Sequence, residues 1–110
     1  MEKNYKIYIQ DIVDSMQHIL QYVQDVTKEQ FFEDIEKQDA VLRRLEIIGE
    51  AATRIPEIVR VQNPTVPWKK VIGLRNIIIH DYTEVDLDTI WTIVKEDLPE
   101  TKKTFEELLH

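Results

Sequence analysis

The chain has no cysteine, only two glycines and four prolines in 110 residues. Without cysteine there is no disulfide framework and no thiolate metal site, which fits a reducing compartment. So few turn-forming residues argue against a β fold with frequent reversals and favour long helices. No run approaches the ~20 apolar residues of a membrane span. The opening "MEKNYKIYIQ" also lacks the apolar core of a secretion signal, so a soluble cytoplasmic protein is expected. There is no HExxH, no glycine-rich phosphate loop and no nucleophile elbow. The three histidines, His18, His80 and His110, are too scattered for a zinc site, and neither metal nor cofactor is expected. Basic residues are in the minority, fourteen against twenty-one acidic, for a net charge of −7. Such a charge repels polyanions and excludes a general nucleic-acid coat protein. A nucleic-acid ligand needs a local basic pocket, for which Arg43, Arg44, Lys69, Lys70 and Arg75 are the candidates.

What is present is helical periodicity. The apolar content of 43% and the length suit one domain with one core, residues 1–110. Tyr5, Ile9, Ile12, Met16, Ile19, Val23 and Val26 recur at steps of four and three, which predicts a long helix from Asn4 to Val26. His18 and Tyr22 fall near or off the edge of its stripe. Thr27 with Gln30 forms a capping-box pattern that restarts a short helix through Phe31 and Phe32. Val41, Leu45, Ile48, Ala52 and Ile55 mark a second long helix, Asp34 to Ile55, ended by Pro56. Gly49 inside it costs ~1 kcal/mol relative to alanine, a cost that close approach of a neighbouring backbone would offset. "PEIVRVQNPTV" reads as a connector with one helical turn. Pro67 suits the first position of a third long helix, with Trp68, Val71, Ile72, Leu74 and Ile78 or Ile79 facing inward. "DYTEVD" reads as a turn. Asp86 is a good N-cap for the last helix, whose stripe is Leu87, Ile90, Trp91, Val94 and Leu98. Pro99 kinks or splits that helix before Phe105, Leu108 and Leu109. The expectation is an all-α antiparallel bundle of four to five helices.

The chemistry concentrates in "RNIIIHDY", Arg75 to Tyr82, where a cation, an imidazole and a phenol surround three isoleucines. On an ideal helix Arg75 and His80 stand about 140° apart, and Tyr82 returns to within about 20° of Arg75. The spacing does not make a single-face triad. It suits His80 in a last, loosened turn with the long arginine reaching across, or a second subunit supplying its own copy. An arginine can hold a phosphate through two hydrogen bonds and neutralise charge building on it. A histidine passes protons near neutral pH. RNA carries its own nucleophile, the 2′-hydroxyl, so this pair suffices for transesterification without metal. The simpler reading is a histidine favouring the helix C-terminal dipole, with Arg75 in an ion pair, and spacing alone favours it.

"RNIIIHDY" resembles the R-N-x-x-x-H-x-Y form of the HEPN signature found in HepT-like toxins. "VLRRLEIIGEAATRIP", "VPWKKVIGLRN" and "VDLDTIWTIVKEDLP" look like the corresponding family blocks in the same order, and the first helix resembles the family's opening helix. The resemblance covers most of the chain. It implies a helical homodimer whose motifs meet in an interfacial cleft, acting as a metal-independent endoribonuclease. It also implies the toxin half of a type VII toxin–antitoxin pair, with an MNT-type nucleotidyltransferase as antitoxin. Carried over by motif, Arg75 and His80 are the catalytic pair, Asn76 a supporting residue and Tyr82 the tyrosine that receives AMP. The different reading is a non-catalytic HEPN module that binds a nucleotidyltransferase or presents a substrate to it. Glu50 can orient Arg75 across the bundle or sit in an ordinary ion pair. Lys69 and Lys70 can steer RNA or lie on an ordinary helix surface. Trp68 and Trp91 read as core rather than as base-stacking platforms.

Overall fold

The structure, a computed structural model, describes residues 4–80 and 86–110, the side chains of residues 77–80 excepted. Every regular element among them is helical, in an antiparallel bundle. Helix α1 spans Tyr5–Tyr22 and α2 spans Lys28–Glu33. Helix α3 is Ile35–Thr53, α4 is Glu57–Gln62 and α5 is Trp68–His80. The last rod is one continuous run of three pieces: α6 (Leu87–Thr92), a π-helical turn (Ile93–Asp97) and α7 (Leu98–Glu107). Helix α1 packs on α3 and α7, and α5 packs on α3. That order places α3 between the first helix and the one that carries the arginine of interest.

The apolar stripes become the core. Ile9, Ile12, Met16, Ile19 and Val23 are buried, and they meet Val41, Leu45, Ile48, Ala52 and Ile55 from the second stripe. Val71 and Leu74 of α5 are buried too, while Trp68 and Ile72 pack against the core half-covered. The inward-facing isoleucines expected at Ile78 or Ile79, and most of the "DYTEVD" turn, lie outside the described residues. Phe31 stands 5.2 Å from Trp91, and Trp68 meets Phe105 edge-on at 5.3 Å. Both tryptophans thus pack against core aromatics, in geometries such rings prefer.

Element ends differ from expectation for local reasons. Helix α1 stops at Tyr22 rather than Val26 because Asp25 takes a left-handed backbone (φ 59°) and Thr27 an extended one. The apolar stripe runs on past the regular helix, since Val23 stays buried and Val26 still touches the core. Asp34 and Thr27 are caps rather than helical residues: Asp34 accepts from the Lys37 N–H at 3.0 Å, and Thr27 and Gln30 close the expected reciprocal box. The connector after Pro56 holds a full six-residue helix, α4. Pro67 precedes α5 instead of opening it, with its carbonyl accepting from Val71 N–H at 3.1 Å. Pro99 splits the last rod by widening it. A proline has no N–H to donate and its ring crowds the carbonyl four residues back. The π turn immediately before it, with its longer hydrogen-bond reach, lets the rod continue. From that turn Lys95 Nζ donates to the Val23 carbonyl at 2.9 Å, placing a cation at the C-terminus of α1.

Asp86 caps α6 by accepting from the Asp88 and Thr89 N–H groups at 3.0 and 3.4 Å and from the Thr89 hydroxyl at 3.0 Å. The Thr89 hydroxyl and backbone N–H, in that order, hold its carboxyl below the usual range. A carboxylate depressed on folding stabilises above its unfolded pKa, ~3.9, and that contribution is lost as pH falls through the folded value. Wild type should therefore be more stable than Asp86→Asn near neutral pH, and the gap should close in acid. Urea midpoints measured between about pH 7 and 2 check this across the aspartate range; parallel curves throughout would refute it.

Candidate active site

The geometry around Arg75 begins with a missing side chain. Gly49 of α3 faces α5 so closely that a Cβ on it would lie 2.6 Å from the Arg75 backbone nitrogen and 2.9 Å from the Arg75 Cβ. The glycine expected to admit a neighbouring backbone does so, and the backbone it admits is that of Arg75. The next residue completes the arrangement: Glu50 Oε1 accepts from Arg75 Nη1 at 3.3 Å. The same carboxylate lies 3.9 Å from Arg54 Nη2 on its other side. With Arg75 38% and Glu50 46% exposed, the pair contributes ~1 kcal/mol or less to stability. Its consequence is orientation.

Arg75 Nε is buried and has no hydrogen-bond partner among the described residues. That N–H is too enclosed to meet a ligand; Nη1 meets Glu50, and the remaining Nη donors are the ones an anion can reach. His80 lies on the same helix, five residues on and about 140° around. Its side chain, and Tyr82 altogether, lie outside the described residues.

Asn76 is exposed and lines a groove of about 590 Å³ between α4 and α5. Lys69 lines the same groove, as its seven-residue spacing from Asn76 requires on a helix. Lys70 does not. It lines a separate cavity of about 520 Å³ against Glu96, Asp97 and Glu100, so the two lysines face different surroundings. Arg43 pairs with Glu46 at 3.1 Å and borders a third depression, between α1 and α3, that includes Glu50 and Arg54. His18 is exposed on α1, its ring 6.3 Å from that of Tyr22, and His110 is exposed at the chain end. Two arginines near these sites were not anticipated from sequence. Arg54 follows Glu50 by one helical turn, a spacing visible in the chain. Arg60 lines the Asn76 groove, and it was hidden because its segment read as connector rather than helix.

An all-helical bundle with R-x-x-x-x-H on one helix defines the HEPN class. Residues 12–108 match the family model described as Ribonuclease HepT-like. Two relatives match along nearly their whole lengths. The chain is 40% identical over 105 residues to "Putative RNase MJ1380" of Methanocaldococcus jannaschii, covering 96% of both chains. It is 38% identical over 108 residues to "Probable ribonuclease HepT" of Thermococcus cleftensis, covering 98% of both. A third relative, "Gamma-glutamylcyclotransferase and putative RNase MJ0434" of M. jannaschii, is 42% identical over 112 residues; the match takes in 98% of this chain and 50% of that protein. No solved structure gives a significant match. The chain belongs to the HepT-like ribonuclease family.

Alanine at Gly49 should destabilise the fold by about 1–3 kcal/mol, the usual range for overpacking a tight contact. That sign is informative, because alanine is the better helix former by ~1 kcal/mol at an unconstrained site. Urea denaturation of Gly49→Ala measures it. An unchanged or raised midpoint would mean that α3 and α5 do not need this approach.

Proposed function

We propose that this chain is a metal-independent endoribonuclease in which Arg75 and His80 carry the reaction. The observation that carries the reading is the bracing of Arg75. Its backbone is seated on Gly49 and one side of its guanidinium is held by Glu50, while further donors remain for a phosphate. Family membership and the names of the relatives support the same substrate class. In the proposed reaction the ribose 2′-oxygen attacks the adjacent phosphorus and gives its proton to a neutral His80. The P–O5′ bond breaks, and the departing 5′-oxygen takes a proton, leaving a 2′,3′-cyclic phosphate and a 5′-hydroxyl end. Arg75 offsets the charge that gathers on the phosphate oxygens in between, as preorganised donors do elsewhere. One imidazole cannot be base and acid at once. A symmetric dimer that brings a second copy of His80 to the cleft provides both states, and we take the dimer as the working unit, with Asn76 supporting the pair.

Purified protein should cleave RNA in excess EDTA and leave 2′,3′-cyclic ends. His80→Ala should lose about 10²–10⁴-fold in rate, the range for a general acid or base, and Arg75→Ala about 10²–10³-fold, as for loss of a charge-stabilising donor. Mixing His80→Ala with wild-type subunits should lower activity more steeply than the fraction of mutant subunits, because a mixed dimer holds only one of the two imidazoles. Wild-type rates in both variants, or a requirement for magnesium, would reject the mechanism.

The same reading makes the chain the toxin of a type VII toxin–antitoxin pair, with an MNT-type nucleotidyltransferase partner that transfers AMP to Tyr82. An added phosphodiester and base would repel and block RNA. Tyr82→Phe should keep ribonuclease activity and escape inactivation when such a partner and ATP are supplied, with peptide mapping by mass spectrometry locating the AMP. Modification at another residue alone, or full activity after modification of Tyr82, would defeat this assignment.

A further inference from the structure

Gly73 poses a question that the fold does not answer. It sits within α5, where glycine weakens a helix, yet among the described residues nothing lies within 4 Å of where its Cβ would be. Gly49 has a packing reason, and among the described residues Gly73 has none. Gly73 borders two hollows, the cavity at Lys70 and the α4–α5 groove; in the groove it opens a bed shared with Trp68 and Ile72, and the walls carry Arg60, Lys69 and Asn76. The bed is rigid: the Trp68 indole N–H donates to the Asn63 carbonyl at 3.0 Å, and the Asn63 amide donates to the Val59 carbonyl at 2.8 Å. These bonds tie the end of α4 to the start of α5 and set the groove's width. Arg60 and Lys69 make no hydrogen bond or ion pair among the described residues, and Arg60 Nε is buried without a partner. Against these two cations the groove holds one acid, Glu57.

We infer that this groove is the track for single-stranded RNA beside the cleavage site, with Arg60 and Lys69 on backbone phosphates and one nucleotide resting against the bare backbone at Gly73. The inference rests on the ribonuclease reading above. Two positive charges over an apolar bed match the alternation of phosphate and base along a single strand. The bed is too narrow in its polar content to read sequence, so it supplies affinity and position. Asn76, the groove residue next to Arg75 in sequence, stands about 100° around α5 from it, so a strand leaving the groove at Asn76 bends around the helix to reach the phosphate site. Arg60 is thereby a binding residue. A second copy of the chain is the other occupant such a groove could take, and the test separates the two.

The probe is a fluorescent single-stranded oligoribonucleotide, bound to the full chain carrying His80→Ala so that nothing is cleaved and followed by anisotropy across a salt series. Adding Arg60→Gln or Lys69→Gln should weaken binding several-fold and lower the slope of log affinity against log salt by about 0.7 each, the value for one phosphate of a single strand. Gly73→Ala should weaken binding while leaving thermal stability equal or higher, an outcome that a purely structural role cannot give. Lys103→Gln, on the exposed surface of α7, should change neither quantity. If wild type cleaves RNA but Arg60→Gln, Lys69→Gln and Gly73→Ala bind as the parent does, the groove assignment fails and the ribonuclease reading stands. If wild type neither binds nor cleaves RNA at low salt, that reading fails and takes the groove with it. If Gly73→Ala or Arg60→Gln converts a dimer to a monomer by light scattering, the groove is a subunit interface and the RNA track is overturned.

Discussion

The contact on which the candidate site depends is the approach of α3 to α5 at Gly49. No side chain fits there, because the space a Cβ would take is already occupied by the Arg75 backbone. Two consequences follow from one residue type. The helices close to a distance that only glycine permits, and Glu50, the next residue along, is carried to the Arg75 guanidinium. A catalytic cation gains most from being held before substrate arrives, since no reorganisation is then needed as charge develops. Here the backbone of Arg75 is fixed by packing and its head by a half-exposed ion pair, too weak to hold the guanidinium against a phosphate.

Charge is arranged on the same principle. The chain as a whole is acidic, yet its arginines differ in how they are engaged. Arg43 and Arg54 have carboxylates of their own helix within reach, Arg75 shares Glu50 with Arg54, and Arg60 makes no ion pair among the described residues. Net charge governs encounters at long range and is screened over about 10 Å at 0.1 M salt. Within a groove the local balance governs instead. On the inference that the α4–α5 groove is an RNA track, the acidic remainder of the chain discourages loose association with polyanions while the groove still admits a strand that fits.

Much of this was legible in the chain, and the reasons differ by feature. The stripes of α1 and α3 were readable because a 3.6-residue period and a buried face are one statement. The special status of Gly49 was readable because a helical glycine carries a cost that something must offset. Helix ends were not, because burial continues past the last helical residue: Val23 and Ile55 are core residues that their stripes place in helices but that lie just beyond the observed ends of α1 and α3. The π turn had no sequence signal of its own beyond Pro99. Lys69 and Lys70 looked like one basic pair, although adjacent helical residues point about 100° apart and these two line different hollows. Arg60 escaped notice since its segment is short, and six residues between Pro56 and Asn63 show little periodicity.

Helix α5 thus has faces with separate duties. The Trp68 end is anchored through Asn63 and Phe105, so the helix cannot rotate about its axis without breaking both contacts. Rotation is the motion that would matter, since the site's parts are distributed around the axis: Arg75 toward α3, Lys69 and Asn76 toward α4, Lys70 toward the last rod. A turn of even 20° would lift Arg75 from Gly49 and tilt the groove wall together. The two helical glycines take opposite roles in this scheme. Gly49 is absent bulk filled by the protein's own backbone, and it sets where α5 lies. Gly73 is absent bulk left open on α5 itself, two residues before the arginine whose backbone Gly49 admits.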